Sequence, residues 1–268
     1  MFRRSNRCEA LFRALRREKR CGLIAYVTCG DPDVETTVRI VRALEEAGAD
    51  AIELGVPFSD PIADGPVIQA AAQRALANGT TLLDVLHIGR AIREESAIPL
   101  IAFSYLNPLL RYGIERFARE ASAAGFDAAL LTDLLPEAGT EIQRAVRRQG
   151  MGLVYLLAPT STPKRITTID RASDVFVYYV STTGVTGARS ELDPALLDRL
   201  DDIRARMTKP LAVGFGISKR EHYDLLRDRC ASVVVGSAIV RAIASGDAAG
   251  APARAAEVVR SIVYHSPR

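Results

Sequence analysis

Apolar residues in this chain fall into two alternating kinds of run. The first kind is short and continuously aliphatic, at residues 23–28, 51–56, 100–105, 128–133, 152–158, 175–181, 211–216 and 232–236. Runs of this length without apolar/polar alternation predict parallel strands covered on both faces. The second kind is amphipathic with a helical period, at residues 34–47, 115–124, 137–148, 194–206 and 220–229, with Gly48, Gly125 and Gly150 as C-terminal stops. Eight strand–helix units with no Pro- or Ser-rich linker predict one (β/α)8 (TIM) barrel domain spanning residues 1–268. An open doubly wound sheet is disfavoured, because the turn after the first strand, Thr28-Cys-Gly-Asp-Pro32, is no G-x-G-x-x-G. Residues 66–95 hold two helical patterns, so the second unit carries an extra helix. Cys8, Leu11, Phe12 and Leu15 stand at i, i+3, i+4 and i+7 and predict a further N-terminal helix, covering the barrel bottom.

Composition narrows the function classes. Hydrophobic residues make up 48 % and charged residues 25 % of the chain, as in a globular protein. No apolar run reaches the ~18 residues of a membrane span. The 35 basic and 32 acidic residues nearly balance, which argues against a nucleic-acid partner. The Arg-rich first twenty residues read as the polar face of the first helix rather than a targeting peptide, since Glu9 and Glu18 interrupt them. Cys8, Cys21, Cys29 and Cys230 show no paired spacing and are expected as reduced thiols in a cytoplasmic protein. His87, His222 and His265 are scattered without ligand neighbours, so no metal site is expected.

Candidate chemistry collects at the C-terminal strand ends, where barrels build their sites. Glu53 lies within an apolar strand, where a carboxylate is costly unless paired or used. Strand parity sets Ala51, Glu53 and Gly55 on one side and Ile52 and Leu54 on the other. Burial is expected to raise the Glu53 pKa and let it carry a proton near neutrality. Asp60 and Asp64 follow in a loop punctuated by Pro61 and Gly65; each alone reads equally as a turn former. Gly214-Phe-Gly216 and Gly236-Ser237 follow strands seven and eight, where backbone N–H groups commonly hold a phosphate. Ser237 reads as the N-cap of a short helix. Gly184-Val-Thr-Gly187 reads as a flap over the site, or as an ordinary surface loop. Tyr105 and Tyr178 stand at strand ends, as pocket lining or plain core.

The ordered motifs resemble those of the tryptophan synthase alpha subunit family. They are the stretch from Ile52 through Glu53 and Asp64 to Gly65, Tyr26-Val-Thr-Cys-Gly-Asp-Pro32, Tyr105-Leu-Asn-Pro108, the segment from Ser181 to Arg189, Gly214-Phe-Gly-Ile217 and Gly236-Ser-Ala-Ile-Val240. The resemblance runs from about Leu11 to Ile243. It implies a (β/α)8 barrel that reversibly cleaves indole-3-glycerol phosphate to indole and glyceraldehyde 3-phosphate. By the same resemblance, Glu53 is the general acid/base and Asp64 the second catalytic carboxylate. By the resemblance Tyr26, Leu100, Tyr105 and Leu130 stand around the indole, Tyr178 is an active-site tyrosine, and Gly187, Gly216, Gly236 and Ser237 contact phosphate. Thr186 and Asp133 belong to closure and catalysis, and Asp60 to a partner-facing loop. The resemblance implies no cofactor in this chain, pyridoxal phosphate being expected only in a partner beta subunit of an α2β2 complex. Two alternatives stay open: a stand-alone lyase releasing free indole, and a subunit that mainly binds and activates its partner. The chain departs from the family's pattern in Asp133-Leu-Leu-Pro136, in Cys29, and in residues 227–232, which lack the usual Gly-Ala-Asp turn.

Overall fold

The computed structural model describes residues 6–180, 194–214 and 216–263. Eight parallel strands form a closed barrel in chain order: β1 (Gly22–Thr28), β2 (Ala51–Gly55), β3 (Leu100–Ser104), β4 (Ala128–Leu131), β5 (Gly152–Leu157), β6 (Val177–Val180), β7 (Leu211–Gly214) and β8 (Ser232–Val235), with β8 returning to β1. The helices among the described residues are α1 (Arg7–Glu18), α2 (Val34–Glu46), α3 (Pro66–Ala77), α4 (Leu82–Glu95), α5 (Leu106–Tyr112), α6 (Ile114–Ala123), α7 (Thr140–Arg148), α8 (Pro163–Ala172), α9 (Pro194–Ala205), α10 (Arg220–Leu226), α11 (Ser237–Ala244) and α12 (Ala251–Ile262). None is long and apolar enough to cross a membrane. The expected barrel, the extra helix after β2 and the N-terminal helix are all present.

Three helices exceed the expectation: α5, α8 and α12. Helix α5 follows β3 directly, and Asp133, from the next unit, accepts the Leu106 N–H at its start at 2.8 Å. That cap is tertiary and leaves no local signal. Helix α7 starts at Thr140 rather than residue 137, because residues 135–139 turn first, with Ala138 N–H donating to the Leu135 carbonyl and Gly139 at the N-cap.

Strand parity sorts the core into two layers. Ile24, Ala51, Ile101, Ala128, Leu130, Val154, Ala212 and Val234 point inward and pack with Cys8, Phe12 and Leu15 of α1. Leu23, Ala25, Val27, Ile52, Leu54, Leu100 and Ala102 point outward into the helical shell. Helix α1 therefore plugs the barrel from below, with the Phe12 ring 5.2 Å from that of Phe176. Asn6 caps it, its side chain accepting from Cys8 and Glu9 N–H groups.

The same end of the barrel is fastened by a repeated carboxylate. Asp50, Asp127 and Asp174 stand just before β2, β4 and β6. Their N–H groups donate to the carbonyls of Leu23, Leu100 and Leu153 in the preceding strands. Each carboxylate accepts the N–H of that same leucine, at 2.9, 3.0 and 2.9 Å. Each also holds arginine: Arg20 grips Asp50 through two bonds of 2.8 and 2.7 Å, Arg7 and Arg93 flank Asp127, and Arg147 meets Asp174. In the fourth pair of units, Ala231 makes the matching bond to the Leu211 carbonyl but has no carboxylate to return. This explains where the departure in residues 227–232 falls. Beside it, across the seam of β1 and β8, the thiols of Cys21 and Cys230 lie 3.7 Å apart. All four cysteines are free and buried.

Breaking a buried charge pair from one side leaves the other charge stranded, at about 3–5 kcal/mol. Asp127→Ala is expected to cost that much in urea unfolding. Asp174→Ala is expected to cost clearly less, because the Arg147 side chain is 48 % exposed while Arg7 and Arg93 are 22 % and 14 % exposed. Equal losses would show that the arginine partners contribute nothing.

Candidate active site

Glu53 sits in the middle of β2, paired with Tyr26 of β1 and Ile101 of β3. It points inward, as parity requires, and is fully buried. Neither carboxylate oxygen has a hydrogen-bond partner among the described residues. Burial alone pushes its pKa from 4.5 up to about 8, so the group is a neutral acid at pH 7.

Asp64 approaches from the loop after β2. The Tyr105 hydroxyl donates to its carboxylate at 3.2 Å and accepts the Ala63 N–H at 2.9 Å. Burial raises the Asp64 pKa to about 6, with the Tyr105 bond opposing the rise. Asp64 is therefore mostly ionised at pH 7 while Glu53 is mostly protonated. Two carboxyl groups whose environments set their pKa values apart can serve one as proton donor and the other as anion.

Aromatic groups complete the pocket. Tyr26 packs edge-on against Phe103 at 5.1 Å, and its hydroxyl is 3.4 Å from that of Thr28. Tyr178 lies inward on β6. Burial, followed by the charges of Glu53 and Asp64, drives its phenol pKa well up; burial and then Asp64 do the same to Tyr26. The two tyrosines and two carboxyl groups thus converge on one space. Each tyrosine tip lies over a glycine of the next strand. A Cβ on Gly55 would stand 2.3 Å from the Tyr26 hydroxyl oxygen, and one on Gly214 would stand 2.4 Å from that of Tyr178. Only glycine leaves room for the rings there.

Leu130 faces inward beside Phe103 in register. Leu100 does not: it points outward into the helical shell at the lower end of β3, where its N–H meets Asp127. The pocket position on β3 belongs to Phe103, which the sequence reading missed. Its signal was present, since Phe103 shares strand parity with Tyr105 and Leu100 does not. Gly236 approaches the base of Tyr26, a Cβ there falling 3.5 Å from the tyrosine Cβ. Ser237 is the first residue of α11 and not its N-cap; Gly236 holds that position, with no side-chain cap bond. Gly216 has a left-handed φ of +59°, which suits glycine. Thr186, Gly187 and the whole 184–187 flap lie outside the described residues, as does Phe215. Asp60 is exposed on the same loop as Asp64, and Asp133 is occupied in capping α5. Asp31, at the end of β1, forms a two-bond ion pair with Arg74 of α3. Among the described residues no cluster of His, Cys, Asp and Glu could hold a metal.

A closed (β/α)8 barrel with an acid on β2 and an anion in the loop that follows it is an acid–base barrel enzyme in design. Residues 12–264 match the family model described as tryptophan synthase alpha chain. The curated tryptophan synthase alpha chain of Solibacter usitatus is 54 % identical over 233 residues, 87 % of each chain. The solved structure of tryptophan synthase subunit alpha from Legionella pneumophila superposes with a TM-score of 0.88 at 34 % identity, covering 96 % of this chain and 97 % of that one. A structure described as the tryptophan synthase a2b2 complex of Pyrococcus furiosus matches with a TM-score of 0.85 at 40 % identity, covering 90 % and 97 %. The chain belongs to the tryptophan synthase alpha chain family and is a lyase of tryptophan biosynthesis.

Glu53 also makes stability depend on pH. Between 4.5 and about 8 the folded chain keeps a proton that the unfolded chain has released, so stability falls as pH rises through that window. Glu53→Met is expected to be more stable than the parent, by a margin that widens from pH 5 to pH 8 by up to about 1.4 kcal/mol per pH unit. Urea unfolding at both pH values measures this. A margin independent of pH would mean that Glu53 ionises freely inside the barrel.

Proposed function

We propose that this chain, as a single (β/α)8 domain, cleaves indole-3-glycerol phosphate to indole and glyceraldehyde 3-phosphate, with Glu53 as acid and then base. The observation that carries the proposal is the fully buried Glu53 carboxyl, without a hydrogen-bond partner among the described residues, on the strand whose following loop brings Asp64 to Tyr105. Glu53 gives its proton to indole C3, which leaves a cationic indolenine ring. Asp64 accepts a hydrogen bond from the indole N–H and offsets that positive charge. The Glu53 carboxylate so formed takes the proton of the glycerol hydroxyl next to the bond to be broken. As the hydroxyl becomes an aldehyde, the C–C bond electrons return to the indole ring and neutralise it. Glu53 ends protonated, as it began. The chemistry asks for no cofactor from this chain, and pyridoxal phosphate is expected only in the partner beta subunit.

Tyr26, Phe103, Tyr105, Leu130 and Tyr178 are proposed to hold the indole. Gly216, Gly236 and the Ser237 turn, with Gly187 and Thr186 from the loop after β6, are proposed to hold the phosphate and close over it. Binding the inert phosphate end positions the reacting end for proton transfer. A cytoplasmic setting suits the four free cysteines.

We further propose the beta subunit of an α2β2 complex as partner, seated at the C-terminal end of the barrel over β2, β3 and β4. Ile62, Leu110 and Leu135, from the loops and helix that follow these adjacent strands, are 88 %, 56 % and 57 % exposed, the three most exposed large hydrophobic side chains among the described residues. Asp60 lies beside Pro61 and Ile62 on the first of these loops, and Asp133 orients α5, which carries Leu110.

Glu53→Gln is expected to cut lyase turnover by at least about 100-fold; persistence of turnover would remove Glu53 from the mechanism. The parent's kcat/KM is expected to fall below pH of about 6, as Asp64 gains a proton, and above about 8, as Glu53 loses one. A profile flat across both limbs contradicts these assignments. Added beta subunit is expected to stimulate the parent and to stimulate Leu110→Asp much less, at equal basal activity. No stimulation of the parent would favour the stand-alone lyase.

A further inference from the structure

Asp64 belongs to an exposed loop, yet its reaction role demands a fixed position. Two side chains hold that loop from opposite sides. Tyr105 supports it from the barrel. Gln69, in the first turn of α3, supports it from the helix: its amide N–H groups donate to the Asp64 carbonyl at 2.8 Å and the Pro61 carbonyl at 3.4 Å. Both acceptors are carbonyls, so the amide orientation is fixed by its partners. Between those two carbonyls lie Ile62 and Ala63, both exposed. Gly65, at the N-cap of α3, adds no side-chain bond.

The helix that carries Gln69 is itself anchored. Arg74, five residues further on, meets the buried Asp31 through bonds of 2.8 and 2.7 Å. Asn78 donates to the carbonyls of Gly30 and Pro32. Ile68 and Ala71 pack on Tyr26. Helix α3 is thus a rigid strut from the β1 loop to the Asp64 loop, and Gln69 is its contact at the catalytic end.

We infer that Gln69 is a positioning residue for Asp64, acting through the loop backbone without touching substrate. The inference rests on the proposed catalytic role of Asp64. One net hydrogen bond of this kind is worth about a 3- to 10-fold change. Gln69→Met keeps the length and removes both donors, and it is expected to lower kcat about 10- to 50-fold with KM nearly unchanged. The low-pH limb of the profile is expected to move, because Asp64 shifts relative to Tyr105. Gln69→Glu, which sets a carboxylate against two carbonyls, is expected to lose more. Competitive inhibition by inorganic phosphate is expected to stay as in the parent, since the phosphate glycines are on other strands.

The deciding measurement is the double variant. In an Asp64→Asn background, Gln69→Met is expected to add no further loss of kcat. A full additional loss there would make Gln69 a structural residue only and overturn the inference. So would a Gln69→Met enzyme with unchanged kcat and an unmoved low-pH limb. If Asp64→Asn alone kept parental turnover, the catalytic reading of Asp64 would fail instead, which is a separate result.

Discussion

A carboxylate in an apolar interior must be satisfied or used, and this barrel treats its carboxylates in both ways at opposite ends. At the lower end, Asp50, Asp127 and Asp174 each return a hydrogen bond to the strand that holds them and each grip arginine. These ties fix the stagger of β1 on β2, β3 on β4 and β5 on β6. Every inward-facing residue above them inherits that register, because a slip of one residue would turn it to the outer face. Glu53 stands three residues above Asp50 on the same strand, roughly 10 Å along it. One carboxylate is fully engaged and the other has no hydrogen-bond partner among the described residues, and the first holds the strand that presents the second.

The upper end works by separating two pKa values. Glu53 is buried without donors and holds its proton. Asp64 is less deeply buried, receives a hydrogen bond and releases its proton more readily. The same strand-and-loop segment therefore supplies both partners of the proton transfer. The tyrosines are positioned by absences, since Gly55 and Gly214 withhold the side chains that would displace Tyr26 and Tyr178. Stability and function pull in opposite directions at Glu53, as is common where an active site keeps a charge-bearing group dry.

Much of this was legible in the chain. Strands buried on both faces read as aliphatic runs, and all eight stood where those runs fall. Glu53 was legible because it interrupts such a run, and parity alone sent it inward. What escaped depends on contacts between distant segments. Helix α5 is capped by Asp133, 27 residues away. The Tyr105–Asp64 bond spans 41 residues and two loops, so neither partner announces it. Leu100 was placed in the pocket by resemblance, against the parity that puts Phe103 there. Ser237 had the residue type of an N-cap, but the turn after β8 gives that place to Gly236. The flap after β6 lies outside the described residues.

The fourth pair of units, β7 and β8, lacks the carboxylate tie of the other three. Ala231 offers no carboxylate, so β8 joins β7 through backbone bonds, and on its other side it meets β1 through backbone bonds beside a pair of thiols. β1 and β8 are also the first and last strands to leave a ribosome. Ring closure is the contact of greatest sequence separation in the sheet, and such contacts are made at the greatest cost in chain entropy. A closing joint without a charged latch is one in which β8 can settle against β1 without first stripping water from an aspartate and an arginine. The barrel is buckled within its first three strand pairs and left with plain joints on both sides of the strand that completes the ring.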